Sequence, residues 1–201
     1  MDARELLLQA ALKLYAVSGI RGATTKRIAH EAGVNEVTLF RHFGSKEALM
    51  QEALAWKAEQ SLDCRLPESP TDPERELAEF CAKYYGALWD SRDLIRVCLG
   101  EFADHPEATH VACRTPTRIA DQLEAYLKKL KAAGLAPGDW HPQSATSMLM
   151  GTLFSDVMGR ECMPERYRLD GQDAVRQYVS LFLRAIGAEK ATPVHVSRPR
   201  I

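Results

Sequence analysis

Two short helical patterns meet at Gly33, and this junction constrains the fold more than any other feature of the 201-residue chain. Before the glycine, Ile28 and Ala32 recur at helical spacing, and Thr24 stands where a helix N-cap is expected. After it, Asn35 can cap a second helix. Glycine readily adopts the left-handed conformation that ends a helix. Two short helices joined by a turn of about three or four residues that contains glycine predict a helix-turn-helix.

The second helix of this pair is predicted to place polar and methyl groups on an exposed face. Leu39 and Phe43 lie four residues apart and are expected to point inward. The outer arc then contains Glu36, Val37, Thr38, Phe40, Arg41 and His42. Hydrogen-bonding and methyl groups are what the major groove of DNA distinguishes, because guanine presents two acceptors and thymine a methyl group. The pattern therefore favours a DNA-reading helix.

A longer pattern of small, hydroxyl-bearing and aromatic residues surrounds this pair. It consists of Gly22, Thr24-Thr25, Ile28-Ala29, Ala32-Gly33-Val34, Thr38-Leu39-Phe40-Arg41-His42-Phe43 and Lys46-Glu47-Ala48-Leu49. The pattern resembles the N-terminal domain of the tetracycline-repressor (TetR) family of bacterial transcription regulators. At Phe40 the chain departs from the family, which usually has tyrosine there, and the change removes a hydroxyl that can bind phosphate. The resemblance covers the first quarter of the chain.

The start of the first helix of the pair is predicted to bind the DNA backbone. Thr24, Thr25, Lys26 and Arg27 place hydroxyls and cations beside free backbone N–H groups, which together form a phosphate site. Lys26 can also reach a base edge, and the alternative for all four is an ordinary solvated cap. Lys46 opens the next helix, where a cation opposes the helix dipole unless a phosphate contact offsets the cost.

The second helix is predicted to contact bases as well as phosphates. Arg41 can bind guanine through two hydrogen bonds, although it can also grip phosphate, and Val37 and Thr38 can touch a thymine methyl. The resemblance implies that His42 contacts the backbone. Glu36 is the least expected member, because phosphates repel a carboxylate unless it accepts from cytosine N4. The alternative for Glu36 is that it faces solvent.

Charge and cysteine content indicate the setting in which the chain works. Residues 1–50 carry seven Lys and Arg against five Asp and Glu, whereas the whole chain carries 26 against 27. A slightly basic head on an acidic body is compatible with DNA binding. The five cysteines, without a C-x-x-C pair, favour a reduced compartment. Because there is neither a basic leader nor an apolar run of about 18 residues, we expect a cytoplasmic protein without a membrane partner.

The periodicity of the chain predicts an all-α fold, with a three-helix helix-turn-helix head followed by a C-terminal helical bundle. A first amphipathic helix is expected from residue 2 to about 18, ended by Gly19. A fourth is expected from Lys46 to about Leu62. Three prolines interrupt the chain between residues 65 and 75 and indicate the clearest boundary.

Apolar residues at helical spacing mark the helices of the body. They run from Leu77 to Leu88, from Leu94 to Phe102, from Ile119 to Leu130, and over about 142–160 and 171–187. We divide the chain into three parts: a DNA-binding domain of residues 1–50, a ligand-binding and dimerisation domain of residues 51–187, and a flexible tail of residues 188–201.

The last two helical segments are predicted to form the interface of a homodimer, as a four-helix bundle across a two-fold axis. Their apolar residues exceed what one intramolecular contact needs: Leu149, Leu153, Val157, Val175, Val179, Phe182 and Ile186. Gly151 and Ser155 permit close approach of the helices. The family resemblance implies the same arrangement.

The sequence thus predicts a ligand-responsive transcriptional regulator. Its simplest form is a repressor that a small apolar or aromatic effector releases from a palindromic operator in double-stranded DNA. The effector is expected between helices of the body, where Trp89, Phe102 and Met148 are candidate lining residues. Plain core packing is the alternative for these three side chains. An activator on the same fold is the alternative for the function.

A metal- or thiol-based sensor is the other alternative. Glu101, Asp104, His105 and His110 lie close together in the sequence, although His105 precedes a proline, where histidine is more often a C-terminal cap. Most cysteines stand at apolar helical positions and are more simply core. The chain has no H-E-x-x-H motif, P-loop, nucleophile elbow or dinucleotide fingerprint. We therefore expect no enzyme, no cofactor and no dedicated metal site.

Overall fold

A computed structural model describes residues 2–60, 64–101, 103–104 and 106–188, and the side chains of these residues except 58–60 and 106–112. These parts of the chain contain eight α-helices and no β-strand. The helices are α1 (Ala3–Gly22), α2 (Thr25–Glu31), α3 (Glu36–Phe43), α4 (Lys46–Gln60), α5 (Pro73–Gly100), α6 (Pro106–Ala132), α7 (Pro142–Gly159) and α8 (Gly171–Ala185). The predicted all-α architecture is confirmed. None of these helices has the length and apolar character needed to cross a membrane.

The first four helices form the head of the molecule. Asp2 caps α1 by accepting a hydrogen bond from the backbone N–H of Glu5 at 2.8 Å. The apolar faces of α1 to α4 meet in one buried cluster, whose fully buried members include Leu7, Leu8, Tyr15, Ile28, Leu39, Leu49 and Met50. This cluster fixes the helix-turn-helix against the long first helix and the start of α4.

Gly19 interrupts the first helix with a kink. The glycine has φ of 65° and ψ of −179°, and a last helical turn follows to Gly22. The regular helix therefore ends before Gly19, as predicted, and a separate short turn follows across the kink. The conformation is in the left-handed range of φ, which suits glycine.

The body consists of α5 to α8 around a second buried cluster. Its members include Leu77, Phe80, Leu123, Tyr126, Leu127, Leu149, Val157 and Phe182. The sequence predicted separate helices for residues 77–88 and 94–102, but α5 runs without interruption to Gly100. No proline separates the two apolar patterns, and an isolated glycine at position 86 does not break a helix that packs on both sides. The last two helices begin and end close to their predicted bounds, whereas α6 begins at Pro106, well before the predicted start at Ile119.

Two predictions fall outside the described residues. Residues 189–201, which make up nearly all of the predicted tail, are not among them, and neither is Phe102. The prediction of a fourth helix is confirmed as far as Gln60, where the described part of that helix ends.

The residues chosen for the dimer interface are core residues of the single chain. Leu149, Leu153 and Val157 on α7 are at most 2% exposed. Val175, Val179, Phe182 and Ile186 are at most 3% exposed. Their assignment to a dimer interface was wrong, because α7 and α8 use these faces to pack against α5 and α6 of the same chain. The outer faces of α7 and α8 instead carry Met148, Gly151, Ser155 and Leu181.

Candidate nucleic-acid interface

The turn between α2 and α3 has the geometry of a helix-turn-helix. Gly33 has φ of 67°, and the N–H of Val34 donates to the carbonyl of Ala29 at 3.0 Å, so the last carbonyls of α2 are satisfied. The Asn35 side chain then caps α3 by accepting from the N–H of Val37 at 2.9 Å. Each of these bonds joins residues close in sequence, which is why the motif was predictable.

The outer face of α3 is open to solvent. Leu39 and Phe43 are buried, as predicted, whereas Val37 is 72% exposed and Phe40 46% exposed. Arg41 and His42 are exposed beside them. Val37 and Phe40 are too exposed to belong to the core. Together with the guanidinium of Arg41 and the imidazole of His42, they form a surface that is partly apolar and partly polar. Glu36 and Thr38 are half-buried at its edge.

The start of α2 adjoins this surface. The Thr24 hydroxyl oxygen accepts from the N–H of Arg27 at 3.3 Å and so caps the helix. The Thr25 hydroxyl donates to Oε1 of Glu36 at 2.5 Å and thus joins the first turn of α2 to the first turn of α3. Lys26 is exposed between them. The structure therefore brings the N-terminal turns of both helices, with their predicted site residues, to one face.

Arg27 and Lys46 both bind the end of α1. One guanidinium nitrogen of Arg27 donates to the carbonyl of Gly22 at 2.6 Å and to the Ser18 hydroxyl at 3.4 Å. The Lys46 ammonium group donates to the carbonyl of Ile20. Sequence reasoning missed both bonds, because they join residues that only the packing of α1, α2 and α4 brings together.

The body reaches the same end of α1 through Glu101. Its Oε1 accepts from the N–H of Ile20 at 2.9 Å, and a Cβ at Gly19 would stand 2.5 Å from that oxygen. Burial, together with the neighbouring Cys98 and Glu101, raises the pKa of the Tyr15 hydroxyl well above its ordinary value. The backbone of Ile20 is thus bound at its N–H by Glu101 of the body and at its carbonyl by Lys46 of the head.

A cleft of about 540 Å³ opens on the body between α5 and the start of α8. Its lining includes Tyr85, Gly86, Trp89, Asp90, Arg160 and Gln172. Trp89 is half-buried, with the guanidinium of Arg92 lying 4.5 Å from its ring centroid. Among the candidate effector residues, Trp89 faces this cleft, whereas Met148 is 49% exposed on α7 and is not among its lining residues.

A buried carboxylate fixes one wall of the cleft. Asp156 is 1% exposed and accepts hydrogen bonds from the hydroxyls of Tyr85 and Tyr178, each at 2.6 Å. It also pairs with Arg160, whose Nε lies 2.6 Å from Oδ1. Burial and the bond to Asp156 raise the pKa of Tyr85 to about 12. A buried charge with this many partners ties the end of α7 to α5 and α8.

The structure describes only some of the residues considered for a thiol or metal sensor. In the described part of the chain, no three His, Cys, Asp or Glu side chains are grouped so as to hold a metal ion. His105 lies outside the described residues, and so does the side chain of His110. Cys64, Cys81 and Cys98 are buried, whereas Cys113 and Cys162 are exposed.

Comparison with known proteins agrees with this geometry. A helix-turn-helix with an exposed outer face of mixed character, joined to a helical body, is typical of DNA-binding regulators. The model of the bacterial regulatory proteins of the tetR family matches residues 7–53. The head of the chain therefore matches the TetR family, as the resemblance implied, and the relatives found by sequence are transcriptional regulators and tetracycline repressors.

Similar proteins extend the likeness beyond the head. The uncharacterized HTH-type transcriptional regulator YvkB of Bacillus subtilis (strain 168) is 26% identical over 91% of this chain and 96% of its own length. The class D tetracycline repressor protein of Escherichia coli is 30% identical over 52% of this chain and 48% of its own length. The crystal structure of the transcriptional regulator FadR from Bacillus subtilis, in complex with stearoyl-CoA, superposes with a TM-score of 0.71 at 19% identity, covering 90% of this chain and 98% of that one.

Proposed function

We propose that this TetR-family regulator binds a palindromic operator in double-stranded DNA and inserts α3 into the major groove. The observation that carries the proposal is the exposed outer face of α3, where Val37, Phe40, Arg41 and His42 have no part in the core. Arg41 supplies donors for guanine, and Val37 and Thr38 supply methyl groups for thymine. Glu36 lies on the same surface and has only acceptors to offer.

The residues around α3 bind the phosphate backbone. Thr24, Lys26 and Arg27 stand at the N-terminus of α2, where backbone N–H groups and the helix dipole favour an anion. The backbone N–H of Thr25 belongs to the same turn. His42 and Lys46 grip phosphate on the other side of the groove, and the ammonium group of Lys46 has donors beyond the one it gives to Ile20.

The regulator acts as a homodimer. Two recognition helices enter successive major grooves on one face of DNA only when they stand about 34–36 Å apart, which requires a two-fold pair of subunits. The outer faces of α7 and α8 suit this contact, because Leu181 is 55% exposed and Met148 49% exposed beside Gly151. Exposed apolar side chains beside a glycine allow two helices to approach closely.

A small apolar or aromatic effector releases the DNA, so that the regulator is a repressor. Trp89 and Tyr85 offer aromatic surface in a cleft whose few polar groups can set specificity. The FadR structure from Bacillus subtilis holds stearoyl-CoA, a ligand with a long apolar chain. Since α4 packs against both α1 and α6, a shift in the body tilts the head. A coupling of about 1–3 kcal/mol changes operator occupancy roughly 5- to 150-fold.

A mobility-shift titration with the DNA upstream of the protein's own coding sequence tests the proposal. Specific affinity should fall with salt by about 0.9 log unit per log unit for each phosphate neutralised. Salt-insensitive binding, or no preference over random duplex, contradicts the DNA-binding role. Parallel titrations with hydrophobic compounds, divalent metals and peroxide then identify the effector class. Release by a metal or peroxide alone contradicts the organic effector.

A further inference from the structure

Glu36 has a defined orientation on the proposed DNA-binding surface. It stands in the first turn of α3, half-buried, next to the exposed Val37. Its Oε1 accepts the hydroxyl proton of Thr25 at 2.5 Å. Because Thr25 is the first residue of α2, this bond joins the two N-terminal turns that face the DNA in the proposed function. A long, flexible side chain is thereby held in one place, with Oε2 left to meet a ligand.

The bond also changes the role of Thr25. A threonine hydroxyl carries one proton, and phosphate oxygens accept hydrogen bonds but do not donate them. A hydroxyl that gives its proton to Glu36 cannot give it to phosphate at the same time. The side chain of Thr25 therefore acts through Glu36, as a positioning residue, and only its backbone N–H remains for the DNA backbone.

A carboxylate facing DNA selects strongly among the base edges. An ionised carboxylate only accepts hydrogen bonds, so it is repelled by phosphates and by any base edge made of acceptors. In the major groove guanine presents N7 and O6 and thymine presents O4, all of them acceptors. Adenine has a donor at N6, but the acceptor N7 lies beside it. Cytosine presents the N4 amino donor alone.

We propose that Glu36, oriented by Thr25, selects cytosine at one position of each operator half-site by accepting a hydrogen bond from the N4 amino group. The inference rests on the proposed function, since it requires α3 to enter the major groove. It deepens that function by naming a base and the pair of side chains that recognises it. The same carboxylate also disfavours guanine and thymine at that position.

Selection of binding sites from a randomised duplex pool, with the wild-type protein and the variant Glu36→Gln, tests the proposal. Glutamine can bind adenine through both N6 and N7. We expect wild type to prefer cytosine by about tenfold or more at one position per half-site. The variant should prefer adenine at that position and keep the wild-type preference elsewhere.

Three further variants separate base reading from charge and from folding. Thr25→Val removes the hydroxyl and should reduce the preference for cytosine several-fold, whereas Thr25→Ser keeps the hydroxyl and should retain it. Glu31→Gln is the matched charge control, because Glu31 ends α2 and its Oε1 binds Lys13 at 2.5 Å. Glu31→Gln should leave every base preference unchanged. Thermal melting followed by circular dichroism shows that each variant is folded.

The possible results are distinct. A switch from cytosine to adenine in Glu36→Gln, together with retention in Thr25→Ser, supports the proposal. A folded Glu36→Gln variant with the wild-type preference at every position overturns it, as does a wild-type site without a preferred cytosine, while operator binding itself still stands. A wild-type protein that prefers no sequence over random duplex overturns the proposed function as well.

Discussion

At the scale of single residues, the two basic side chains at the ends of the recognition surface have different surroundings. Arg41 lies in the last turn of α3 with its side chain exposed. Lys46 is half-buried and donates to the carbonyl of Ile20, so it helps to close the head, and in the proposed function it also binds phosphate. A planar guanidinium can read guanine through two hydrogen bonds, whereas an ammonium group acts as a point charge.

We therefore expect Arg41→Ala and Lys46→Ala to differ in kind. The first should lower discrimination at one base pair per half-site by about 1–3 kcal/mol. The second should weaken binding to all sequences alike and reduce the slope of log affinity against log salt concentration by about one. Affinity measurements on a panel of single-substituted operators distinguish the two. A uniform loss in both variants would show that Arg41 binds phosphate.

At the scale of the helix, the start of α5 depends on one buried carboxylate. Glu76 is 8% exposed and accepts four hydrogen bonds, two from Thr71, one from the N–H of Asp72 and one from the Tyr126 hydroxyl at 2.7 Å. Burial acts to raise the pKa of this carboxyl, but the bonds from Tyr126, Asp72 and Thr71 outweigh it and hold the pKa below its ordinary value. The ionised form therefore stabilises the folded chain.

Glu76→Gln should lower the free energy of unfolding at pH 7 by roughly 1.5–3 kcal/mol, the range for hydrogen bonds to a charged group. Because the folded pKa lies below the unfolded one, the wild type loses this advantage as the pH falls through the acid range. The difference between the two proteins should therefore shrink below about pH 4. Denaturant unfolding of both proteins at several pH values measures this difference in the free energy of unfolding.

Glu79→Gln is the control on the same helix. Glu79 is exposed and lies 3.4 Å from Arg75, so its removal should cost no more than about 0.5 kcal/mol. A cost for Glu76→Gln that stays constant from pH 7 to acid would contradict the ionised role of Glu76.

At the scale of the whole molecule, the head and the body meet at the backbone N–H of Ile20. Glu101 of the body accepts a hydrogen bond from this N–H, and the absence of a Cβ at Gly19 gives the carboxylate room to approach. Cys98 of α5 joins the buried cluster of the head, so the contact is apolar as well as polar. In the proposed function, a shift of the body is transmitted to α3 through this contact as well as through α4.

Glu101→Ala should loosen the end of α1 without unfolding it. Loss of the acceptor for a partly buried N–H costs about 1–3 kcal/mol, which corresponds to roughly 5- to 150-fold faster amide exchange in the opened segment. Hydrogen exchange over residues 19–23 measures the effect. Asp104→Ala, which removes an exposed carboxylate nearby, should leave exchange unchanged. Equal exchange in wild type and Glu101→Ala would contradict the role of Glu101.

A substitution on the outer face of α8 tests the proposed homodimer. Leu181→Asp should dissociate the proposed dimer, because it places a charge in an interface while leaving the buried core residues of α8 in place. Leu135→Asp is the matched control, since Leu135 is 41% exposed in the segment between α6 and α7. Sedimentation at micromolar concentration should give a dimer for wild type and Leu135→Asp. A monomeric wild type, or a dimeric Leu181→Asp, would contradict the proposed interface.

The sequence by itself determined the helix-turn-helix and the helical class of the fold. Thr24, Gly33 and Asn35 act on atoms within a few residues, so their roles follow from local backbone chemistry and could be predicted. The exposed face of α3 followed from helical periodicity with Leu39 and Phe43 as the inward reference.

Tertiary structure alone decided which residues pair across helices and which apolar faces are buried. Thr25 with Glu36 and Ile20 with Glu101 join residues 11 and 81 positions apart, and periodicity carries no information about such partners. Periodicity also cannot distinguish an apolar face that packs within one chain from an apolar face that meets a second copy of the chain. Leu149 and Phe182 show this, because three-dimensional packing assigned them to the core.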